Sequence, residues 1–503
     1  MTPLFLFGKK LKALRQNKNA RNSLFSAGAF LSRPALQIIV TPVLMYKLGS
    51  DGFGQWMILQ SLLALAFVAD FGIAPSTTLF IARYNGKHDR VNMLRILKGS
   101  FTLYLVFAVI CFIGFLKIGP YLFTQFKVGA LITDSPVYFL PVFTVCMLFQ
   151  LFHSLIDAVF RGLERYDIES TLRVLTDIFT ILGILVIAVL GGTIQEMILY
   201  QAAVAMFALG SGILLLSKNI HSYGWLKPFC SLVTFREIFK VGIYGGIQGI
   251  SSVLFNQVDK LILATYLGPT ATGYYAACMQ LTLLAHGLIA KSLNFLFPKF
   301  AGTPKENLKA MQEIFTKGMV LSTLCGCMMS LILFSFGDVI LQHWLGMDLP
   351  RDIFLTLKIL AVVNAFHATS IVPYTLLMGR GAFHLGALFG FLSFCLVTGS
   401  AFWLIPAFGM IGAAVAKLSF VFSSLISRAV IMRITLAEKR WWIGILQIIP
   451  VVLTFGTAWG FYAMNAVILL SPLVLYVLQL TISSTVLILS TKIIYRKWFW
   501  NCI

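Results

Sequence analysis

The sequence predicts an all-α integral membrane protein with about 14 transmembrane helices, arranged as two six-helix lobes followed by two C-terminal helices. Composition is the first reason, because 59% of the 503 residues are hydrophobic and only 11% are charged. Soluble domains are about 45–50% apolar and about 25% charged. The second reason is a series of long apolar stretches with short connections. The third is a glycine-rich turn that occurs once in each half of the chain.

Each apolar stretch is long enough to cross a bilayer, which takes about 20 residues in a helix. Helices are expected because backbone polar groups inside the bilayer need partners within the protein, and a helix supplies them within one segment. The predicted spans cover residues 23–46, 53–82, 99–122, 137–160, 171–191, 195–216, 239–265, 272–298, 315–337, 353–378, 383–405, 409–431, 441–463 and 468–490.

The spans divide the chain into five predicted regions. A basic cytoplasmic segment comes first, a cytoplasmic linker separates the two lobes, and the last two spans lie outside the pattern of six plus six. The regions are the basic segment 1–22, the N-terminal lobe 23–217, the linker 218–238, the C-terminal lobe 239–433, and the last two spans with a cytoplasmic tail, 434–503.

The distribution of lysine and arginine predicts the orientation in the membrane. When basic residues near a span end are assigned to the adjoining side, 30 of the 39 fall on the side of the N-terminus, 4 fall on the opposite side and 5 lie deeper within spans. Such an excess marks the cytoplasmic side, so both termini are predicted to be cytoplasmic. The net charge of +21 is dispersed between apolar stretches, which argues against a nucleic-acid partner.

The glycine-rich turn at 46–56 has a counterpart at 265–275. Three residues match at a constant offset of 219, namely Leu48, Gly49 and Gly54 with Leu267, Gly268 and Gly273. Each turn belongs to the opening pair of a set of six spans, and an even number of spans returns the chain to the same side. The halves are therefore predicted to be related by a pseudo-two-fold axis along the membrane normal, as in transporters built from parallel repeats.

Ionisable residues within the spans are the candidate functional residues, because each costs about 2.5–3.5 kcal/mol to place at mid-bilayer. The spans hold five cations and four acids, so a cavity lined by them keeps surplus positive charge. Such a cavity favours an anion, and phosphate or diphosphate is the obvious one at a membrane. The candidate substrate-binding cations are Arg33, Lys260, Lys291 and Lys417; Lys358 is the fifth cation, and the acids are Asp70, Asp157, Asp177 and Asp259.

Each candidate has an alternative interpretation. Arg33 lies about 16 Å into its span at 1.5 Å per residue, and a structural ion pair with Asp70 or Asp177 competes with a cavity-facing role. Asp70 and Asp259 are candidates for binding a coupling proton or sodium ion, although Asp70 could instead neutralise Arg33. Three lysines lie nearer to span ends, where the ammonium group can extend to the interface: Lys291, Lys358 and Lys417.

Other polar residues are expected to be structural. Asp157 and Asp177 lie four residues from Arg161 and Arg173, so local ion pairs are predicted. The histidines within spans are expected to pack or to form hydrogen bonds. The sequence shows no metal-site spacing, catalytic serine or phosphate-binding loop. We therefore expect neither an enzyme nor a bound cofactor or metal.

Several short motifs resemble a known family. In the first half they are Leu48-Gly49, Gly52-Phe53-Gly54-Gln55-Trp56, Asp70-Phe71-Gly72-Ile73 and Ala82-Arg83-Tyr84; in the second half they are Gln257-Val258-Asp259-Lys260, Tyr266-Leu267-Gly268 and Gly273-Tyr274-Tyr275. Together they look like the Wzx-type oligosaccharide flippases, the polysaccharide-transporter branch of the multidrug/oligosaccharidyl-lipid/polysaccharide (MOP) exporter superfamily. The resemblance covers residues 20–435.

The resemblance implies two six-helix lobes around a central cavity that opens alternately to each side. It implies an undecaprenyl-diphosphate-linked oligosaccharide substrate, moved from the inner to the outer leaflet of the bacterial cytoplasmic membrane for O-antigen, capsule or exopolysaccharide synthesis. The bilayer and this lipid-linked substrate are then the expected partners, with the polysaccharide polymerase and chain-length machinery as candidate protein partners. Arg33 and Lys260 fit the role of the cations that meet the diphosphate in such flippases.

Three alternatives stay open. One is a peptidoglycan lipid-precursor flippase of the same superfamily, which the cationic interior and the 14 spans also fit. Another is a multidrug antiporter, although export of cations would favour an acidic cavity. The third is a membrane-embedded polysaccharide polymerase or glycosyltransferase, which generally needs a larger outer loop than those near 123–136 and 338–352.

Overall fold

The computed structural model describes residues 18–128, 136–229, 231–304, 306–346, 348–436, 443–464 and 472–500. All regular secondary structure in these ranges is helical. The predicted basic segment 1–22 lies mostly outside the described residues, as do parts of the linker and of the C-terminal tail.

The first half of the chain forms six helices before the linker. They are α1 (Lys18–Ala64), α2 (Ile73–Gly86), α3 (Arg90–Gln125), α4 (Pro136–Gly162), α5 (Tyr166–Val189) and α6 (Ile194–Ile220), with short 3₁₀ helices at Leu65–Asp70 and Gly224–Leu226. Local signals explain several ends. Asp89 caps α3 by accepting a hydrogen bond from the Asn92 backbone N–H, and the hydrogen bonds from Asn92 lower the pKa of the Asp89 carboxyl. Thr193 and Glu196 form a capping box at the start of α6.

The second half forms eleven described helices and a π-helical turn. They are α7 (Leu232–Leu267), α8 (Pro269–Ser292), α9 (Leu296–Gly302), α10 (Leu308–Leu345), α11 (Arg351–Ala368), α12 (Ile371–Gly379), α13 (Phe383–Leu418), α14 (Phe420–Val430), α15 (Ile443–Leu446), α16 (Ile449–Met464) and α17 (Pro472–Trp500), and the π-helical turn covers Ile431–Thr435.

The predicted all-α membrane class is confirmed. Within the described residues, 10 helical segments are long and apolar enough to cross a membrane, or 11 if the bent pair α8 and α9 counts as one span. Two of the long helices contain a glycine with non-helical dihedral angles, Gly49 in α1 and Gly409 in α13. Each break separates two predicted spans, so helices and crossings do not correspond one to one. The count of 14 and the pseudo-two-fold axis stay predictions.

The described helices form two compact units. The first unit holds the described residues up to Lys47 together with Leu62–Ile250, and its core lies where α4 packs against α2, α3 and α6. Tyr104, Phe160 and Trp225 are buried there. The N-terminal part of α7 also belongs to this unit. A Cβ atom on Gly246 of α7 would lie 2.7 Å from the Phe71 backbone, so only glycine allows this close approach.

The second unit holds Leu48–Ser61 and the described residues from Ser251 onward. Both copies of the glycine-rich turn lie in it. Gly49 (φ 74°, ψ 170°) and Gly268 (φ 85°, ψ −173°) adopt nearly the same backbone conformation, which residues with a Cβ atom rarely adopt. The weak sequence match at offset 219 is therefore also a match in local structure.

The two turns contact each other through equivalent positions. A Cβ atom on Gly54 would lie 3.0 Å from the Pro269 Cα and closer still to its carbonyl, and one on Gly273 would lie 3.1 Å from the Ser50 carbonyl oxygen. Gly54 and Gly273 are equivalent positions at the offset of 219, and so are their contact partners Ser50 and Pro269. Each contact is therefore the counterpart of the other. Thr270 Oγ1 also donates to Asp51 Oδ1 at 3.0 Å, and these two positions are equivalent as well. Such reciprocity is typical of a two-fold contact.

The last two long helices pack on the second unit instead of standing apart from it. α17 contacts α10 and α16, and α16 also contacts α10. The Phe334 ring of α10 lies 5.8 Å from Phe455 and 5.7 Å from Trp459, measured between ring centroids. The two C-terminal helices are thus integrated with the helices that precede them.

Candidate functional site

A buried ion pair in the second unit lies at the centre of the candidate site. Asp259 lies on α7 and Lys417 near the end of α13, and Lys417 Nζ is 3.0 Å from Asp259 Oδ2. Their side chains are 0% and 2% exposed. Tyr275 on α8 donates its hydroxyl to the same carboxylate oxygen at 2.5 Å. Three helices therefore meet at one carboxylate, and its second oxygen, Oδ1, is buried without a hydrogen-bond partner.

Lys417 is held by further contacts. Its ammonium group donates to the Phe255 carbonyl oxygen at 2.9 Å and lies 4.6 Å from the centroid of the Phe255 ring. A buried lysine needs such partners, because an unpaired charge in a low-dielectric interior is costly. The geometry fixes Lys417 opposite Asp259.

Lys260 adds a second positive charge. It follows Asp259 on α7, is buried, and donates to the Gln257 side chain at 2.7 Å. It lies within electrostatic range of both Asp259 and Lys417. The cluster therefore holds two lysines and one carboxylate, and we call it the C-cluster: Asp259, Lys260, Tyr275 and Lys417.

A small cavity borders the C-cluster. Its volume is about 30 Å³, its surface is mainly apolar, and Lys417 is one of its walls. Asn256, His286, Asn364 and His367 also line it. The two imidazole rings stack with their centroids 4.1 Å apart and an angle of 11° between their planes. Cationic and hydrogen-bonding side chains thus converge on one cavity within this unit.

The first unit holds a different group of charges, which we call the N-network: His153, Asp157, Arg161, Glu169 and Arg173. Arg173 donates to Asp157 Oδ2 at 3.3 Å and to Glu169 Oε1 at 2.6 Å, and Arg161 lies 3.6 Å from Glu169. His153 lies 3.6 Å from Asp157. Asp157 of α4 thus pairs with Arg173 of α5 instead of with the predicted local partner, Arg161. Arg161 pairs with Glu169 of α5.

Arg33 and Asp70 occupy separate surroundings in the first unit. Arg33 is exposed and lies within electrostatic range of Asp177, whose Oδ2 accepts a hydrogen bond from Ser32 Oγ at 2.9 Å. Asp70 ends the 3₁₀ helix and accepts a hydrogen bond from the Tyr104 hydroxyl. Asp70 and Asp177 were the two predicted partners for Arg33. The structure places Asp177 near Arg33, whereas Asp70 contacts Tyr104.

Two further lysines have distinct environments. Lys358 is 1% exposed, forms an ion pair with Asp338, and lies 5.0 Å from the Tyr462 ring centroid. The ammonium group is thus held by partners within the protein. Lys291, a predicted substrate-binding cation, is partly buried near the C-terminal end of α8.

Some members of the site carried no sequence signal. Tyr275 belongs to the Gly273-Tyr274-Tyr275 motif, but nothing in its spacing from Asp259 indicates a hydrogen bond across 16 positions. His286 and His367 were expected to pack or to form hydrogen bonds, and the structure shows that they stack on each other, a pairing that the sequence did not indicate. Among the described residues, no group of three or more His, Cys, Asp or Glu side chains is placed to hold a metal ion.

Comparison with solved structures identifies the fold. The lipid II flippase MurJ in an inward-closed conformation matches with a TM-score of 0.68 at 13% identity, covering 95% of this chain and 99% of that one. An inward-facing multidrug-resistance transporter of the MATE family, within the MOP superfamily, matches with a TM-score of 0.63 at 13% identity, covering 80% of this chain and 96% of that one. The fold is that of MOP-superfamily transporters.

Sequence comparison identifies the family to which the chain belongs. The chain belongs to the polysaccharide biosynthesis protein family, whose model matches residues 20–303. A Shigella flexneri protein provisionally named an O-antigen transporter is 20% identical over 403 residues, covering 79% of this chain and 93% of that protein. The uncharacterized membrane protein EpsK of Bacillus subtilis is 24% identical over 335 residues, covering 64% of this chain and 65% of that protein. The resemblance to Wzx-type polysaccharide transporters is confirmed.

Proposed function

We propose that this protein is a flippase that moves lipid-diphosphate-linked oligosaccharide repeat units from the inner to the outer leaflet of the bacterial cytoplasmic membrane, by alternating access. The observation that carries the proposal is the surplus positive charge of the C-cluster, where Lys417 pairs with the one carboxylate and borders a small cavity, and Lys260 lies within electrostatic range of both. Membership of the polysaccharide biosynthesis family supports the sugar-linked substrate. Both termini are cytoplasmic in this proposal.

The physical task of such a protein is to shield a charged head while the lipid tail stays in hydrocarbon. A diphosphate cannot cross the bilayer core unaided, because transfer of an ion out of water costs many kcal/mol. An ammonium group offers three N–H donors, and one of those on Lys260 is used by Gln257. The remaining donors suit phosphate oxygens. Translocation requires no covalent chemistry, so the role is transport and not catalysis.

Lys260 is the residue that tests the proposal most directly. We expect Lys260→Gln to lower the translocation rate by about tenfold, as the loss of one charge-assisted hydrogen bond of about 1.4 kcal/mol would do, and Lys260→Arg to retain most of it. The measurement is the rate at which a fluorescent lipid-diphosphate oligosaccharide in proteoliposomes becomes accessible to an external glycosidase. Lys317→Gln is the matched control, because Lys317 is exposed and pairs only locally, with Glu313 on its own helix. Wild-type rates in Lys260→Gln would reject the proposal.

Arg33 provides a second, cellular test. Replacement by Ala and by Lys should reduce surface polysaccharide and leave lipid-linked units in the inner leaflet if Arg33 contacts the headgroup. Accumulation of single units in the outer leaflet would instead indicate a defect in polymerisation.

Of the two candidate residues for ion coupling, we favour Asp259 over Asp70. One oxygen of the Asp259 carboxylate is buried without a partner, which leaves it available to a proton or a sodium ion, whereas Asp70 accepts hydrogen bonds from Tyr104 and from the Ala74 backbone. Coupling predicts that translocation in vesicles responds to an imposed proton or sodium gradient. A rate that is unchanged without any gradient would exclude it.

A peptidoglycan lipid-precursor substrate is the second candidate. The fold match to MurJ extends over 95% of this chain, which keeps that substrate class in consideration. Competition separates the two candidates: excess lipid-linked oligosaccharide should slow transport of the labelled repeat unit, and excess peptidoglycan precursor should not. The opposite result would favour the second candidate.

A further inference from the structure

The linker between the two halves of the chain is fastened to the start of α3. Arg90 donates to the backbone carbonyl oxygens of Ile220 and His221, the second at 3.2 Å. Thr102 Oγ1 accepts a hydrogen bond from the Phe229 backbone N–H at 2.8 Å. The described linker residues are therefore held on the first unit, and the side chains that they expose form a defined surface.

Trp225 and Glu237 add two further anchors. Trp225 is buried in the core of the first unit and donates its indole N–H to Ser217 Oγ at 3.1 Å. Glu237, near the start of α7, forms an ion pair with Arg95 of α3 at 2.9 Å. One face of the linker and of the first turns of α7 is thus turned toward the protein, and the other face is exposed.

The exposed face combines apolar and basic side chains. Leu232 and Val233 are 74% and 62% exposed. Arg236 and Lys240 are also exposed and lie four residues apart, on the same side of α7. Glu237, which lies between them in the sequence, is already paired with α3. We call this face the linker surface: Tyr223, Phe229, Leu232, Val233, Arg236 and Lys240.

The linker surface lies beyond the part of α7 that a bilayer can cover. α7 has 36 residues, which gives a length of about 54 Å at 1.5 Å per residue. The hydrocarbon core is about 30 Å thick, and the bilayer with its headgroups is about 40–45 Å thick. The predicted span begins at residue 239, so Leu232 and Arg236 belong to turns at the level of the headgroups.

The exposed face continues from the linker surface along α7. From Arg236 and Lys240, steps of three and four residues lead to Ile243 and Ile247, and both isoleucines are exposed. An exposed apolar face on a spanning helix is suited to lipid chains. The bilayer is thus the phase adjacent to the linker surface, which favours a lipid partner over a soluble protein.

We infer that the linker surface binds anionic phospholipid of the cytoplasmic leaflet, with Arg236 and Lys240 at the phosphate groups. The inference takes the orientation of the linker from the proposed function and is independent of the transported substrate. Anionic lipids attract basic segments next to the membrane, and charge-assisted hydrogen bonds join such cations to phosphate oxygens. Leu232 and Val233 supply the apolar area that holds an amphipathic segment in the interface.

The experiment uses the full-length protein in phosphatidylcholine nanodiscs that contain a trace of one of two photoreactive probes. The probes are a phosphatidylglycerol and a phosphatidylcholine with the same acyl chains and with the reactive group next to the headgroup. Peptide mapping measures how much of each probe reacts with residues 221–240. We expect the phosphatidylglycerol probe to label this segment in preference to the phosphatidylcholine probe. Equal labelling by the two probes would overturn the inference.

Arg236→Gln combined with Lys240→Gln tests the basic residues. This variant should lower the preference for the anionic probe by about tenfold, because both cations are lost. Lys309→Gln combined with Lys317→Gln is the matched control, since it removes the same charge from exposed positions on α10, and it should keep the preference. An unchanged preference in the first variant, or an equal loss in the control, would contradict a site at the linker.

Leu232→Ser combined with Val233→Ser tests the apolar residues. Both side chains are exposed, so the melting temperature should stay at the wild-type value. Labelling by both probes should fall, because the segment is no longer held in the interface. Wild-type labelling in this variant would argue against insertion into the headgroup layer. Failure of both probes to label the wild-type segment would assign the surface to a protein partner instead.

The labelling result is independent of the transport assay. If Lys260→Gln loses translocation while the two probes label the linker equally, the lipid inference fails and the proposed function stands. If the anionic probe is preferred but Lys260→Gln transports normally, the lipid site stands and the assignment of the headgroup site fails.

Discussion

The N-network and the C-cluster are both groups of interacting charged side chains, but they differ in net charge. In the N-network, two acids lie among two arginines and a histidine, with ion pairs between neighbouring helices. In the C-cluster, a single carboxylate faces two lysines and borders a cavity. The N-network is close to internal neutrality, whereas the C-cluster keeps a positive charge that a ligand can use.

This difference separates a structural role from a functional one. A network that closes on itself stabilises helix packing and has no need of a ligand. An unmatched charge inside a membrane costs free energy, so a cluster that keeps one is a candidate functional site. Substitutions in the two groups test this distinction, and a third tests a charge outside both; they follow from the largest expected effect to the smallest.

Removal of the central carboxylate should have the largest effect on stability. Asp259→Ala leaves Lys417 buried without its counter-ion, which should cost about 3–5 kcal/mol of folding free energy. The double substitution Asp259→Ala with Lys417→Met should recover most of that stability without restoring transport, because the pair is removed as a whole. Thermal unfolding in detergent and the translocation assay together measure both effects. A double variant as unstable as the single one would show that the ion pair does not dominate the site.

A matching change in the N-network should do much less. Asp157→Asn removes one partner of Arg173, but Arg173 keeps Glu169 and is 37% exposed, so we expect a loss of about 1 kcal/mol or less. Transport per folded molecule should stay at the wild-type level. Loss of transport with normal thermal stability would give the N-network a functional role and remove the contrast.

The smallest effect is expected where the C-terminal helices join the second unit. Tyr462→Ala removes a ring 5.0 Å from the buried Lys358 ammonium group, and a cation–π contact at a partly exposed site contributes about 0.5–1 kcal/mol. Tyr462→Phe keeps the ring and should restore the melting temperature. Equal destabilisation by both substitutions would assign the effect to the hydroxyl.

Much of the fold was predictable because membrane helices follow from length and hydropathy alone. The turn at Gly49 and its counterpart at Gly268 were also found from the sequence, and the structure gives them matching backbone conformations. The break between α8 and α9 was less accessible, because the sequence predicts one continuous span over residues 272–298. It depends on local dihedral angles and packing, which leave little trace in an apolar sequence.

The charged residues of the site were predictable from the sequence, but their arrangement was not. Lys260, Lys417 and Asp259 stood out because charges are rare within apolar spans. The pairing of Asp259 with Lys417 depends on the positions of α7 and α13, which are separated by more than a hundred residues along the chain, so periodicity cannot reveal it. For the same reason the sequence did not reveal the ion pair of Lys358 with Asp338.

The reciprocal contact between Gly54 and Gly273 has a consequence for sequence change. The two backbones meet there with too little room for a Cβ atom on either glycine, so even one added methyl group would force them apart. Because each copy of the turn contacts the other at the equivalent position, neither copy can accept a larger residue at its glycine without displacing the other.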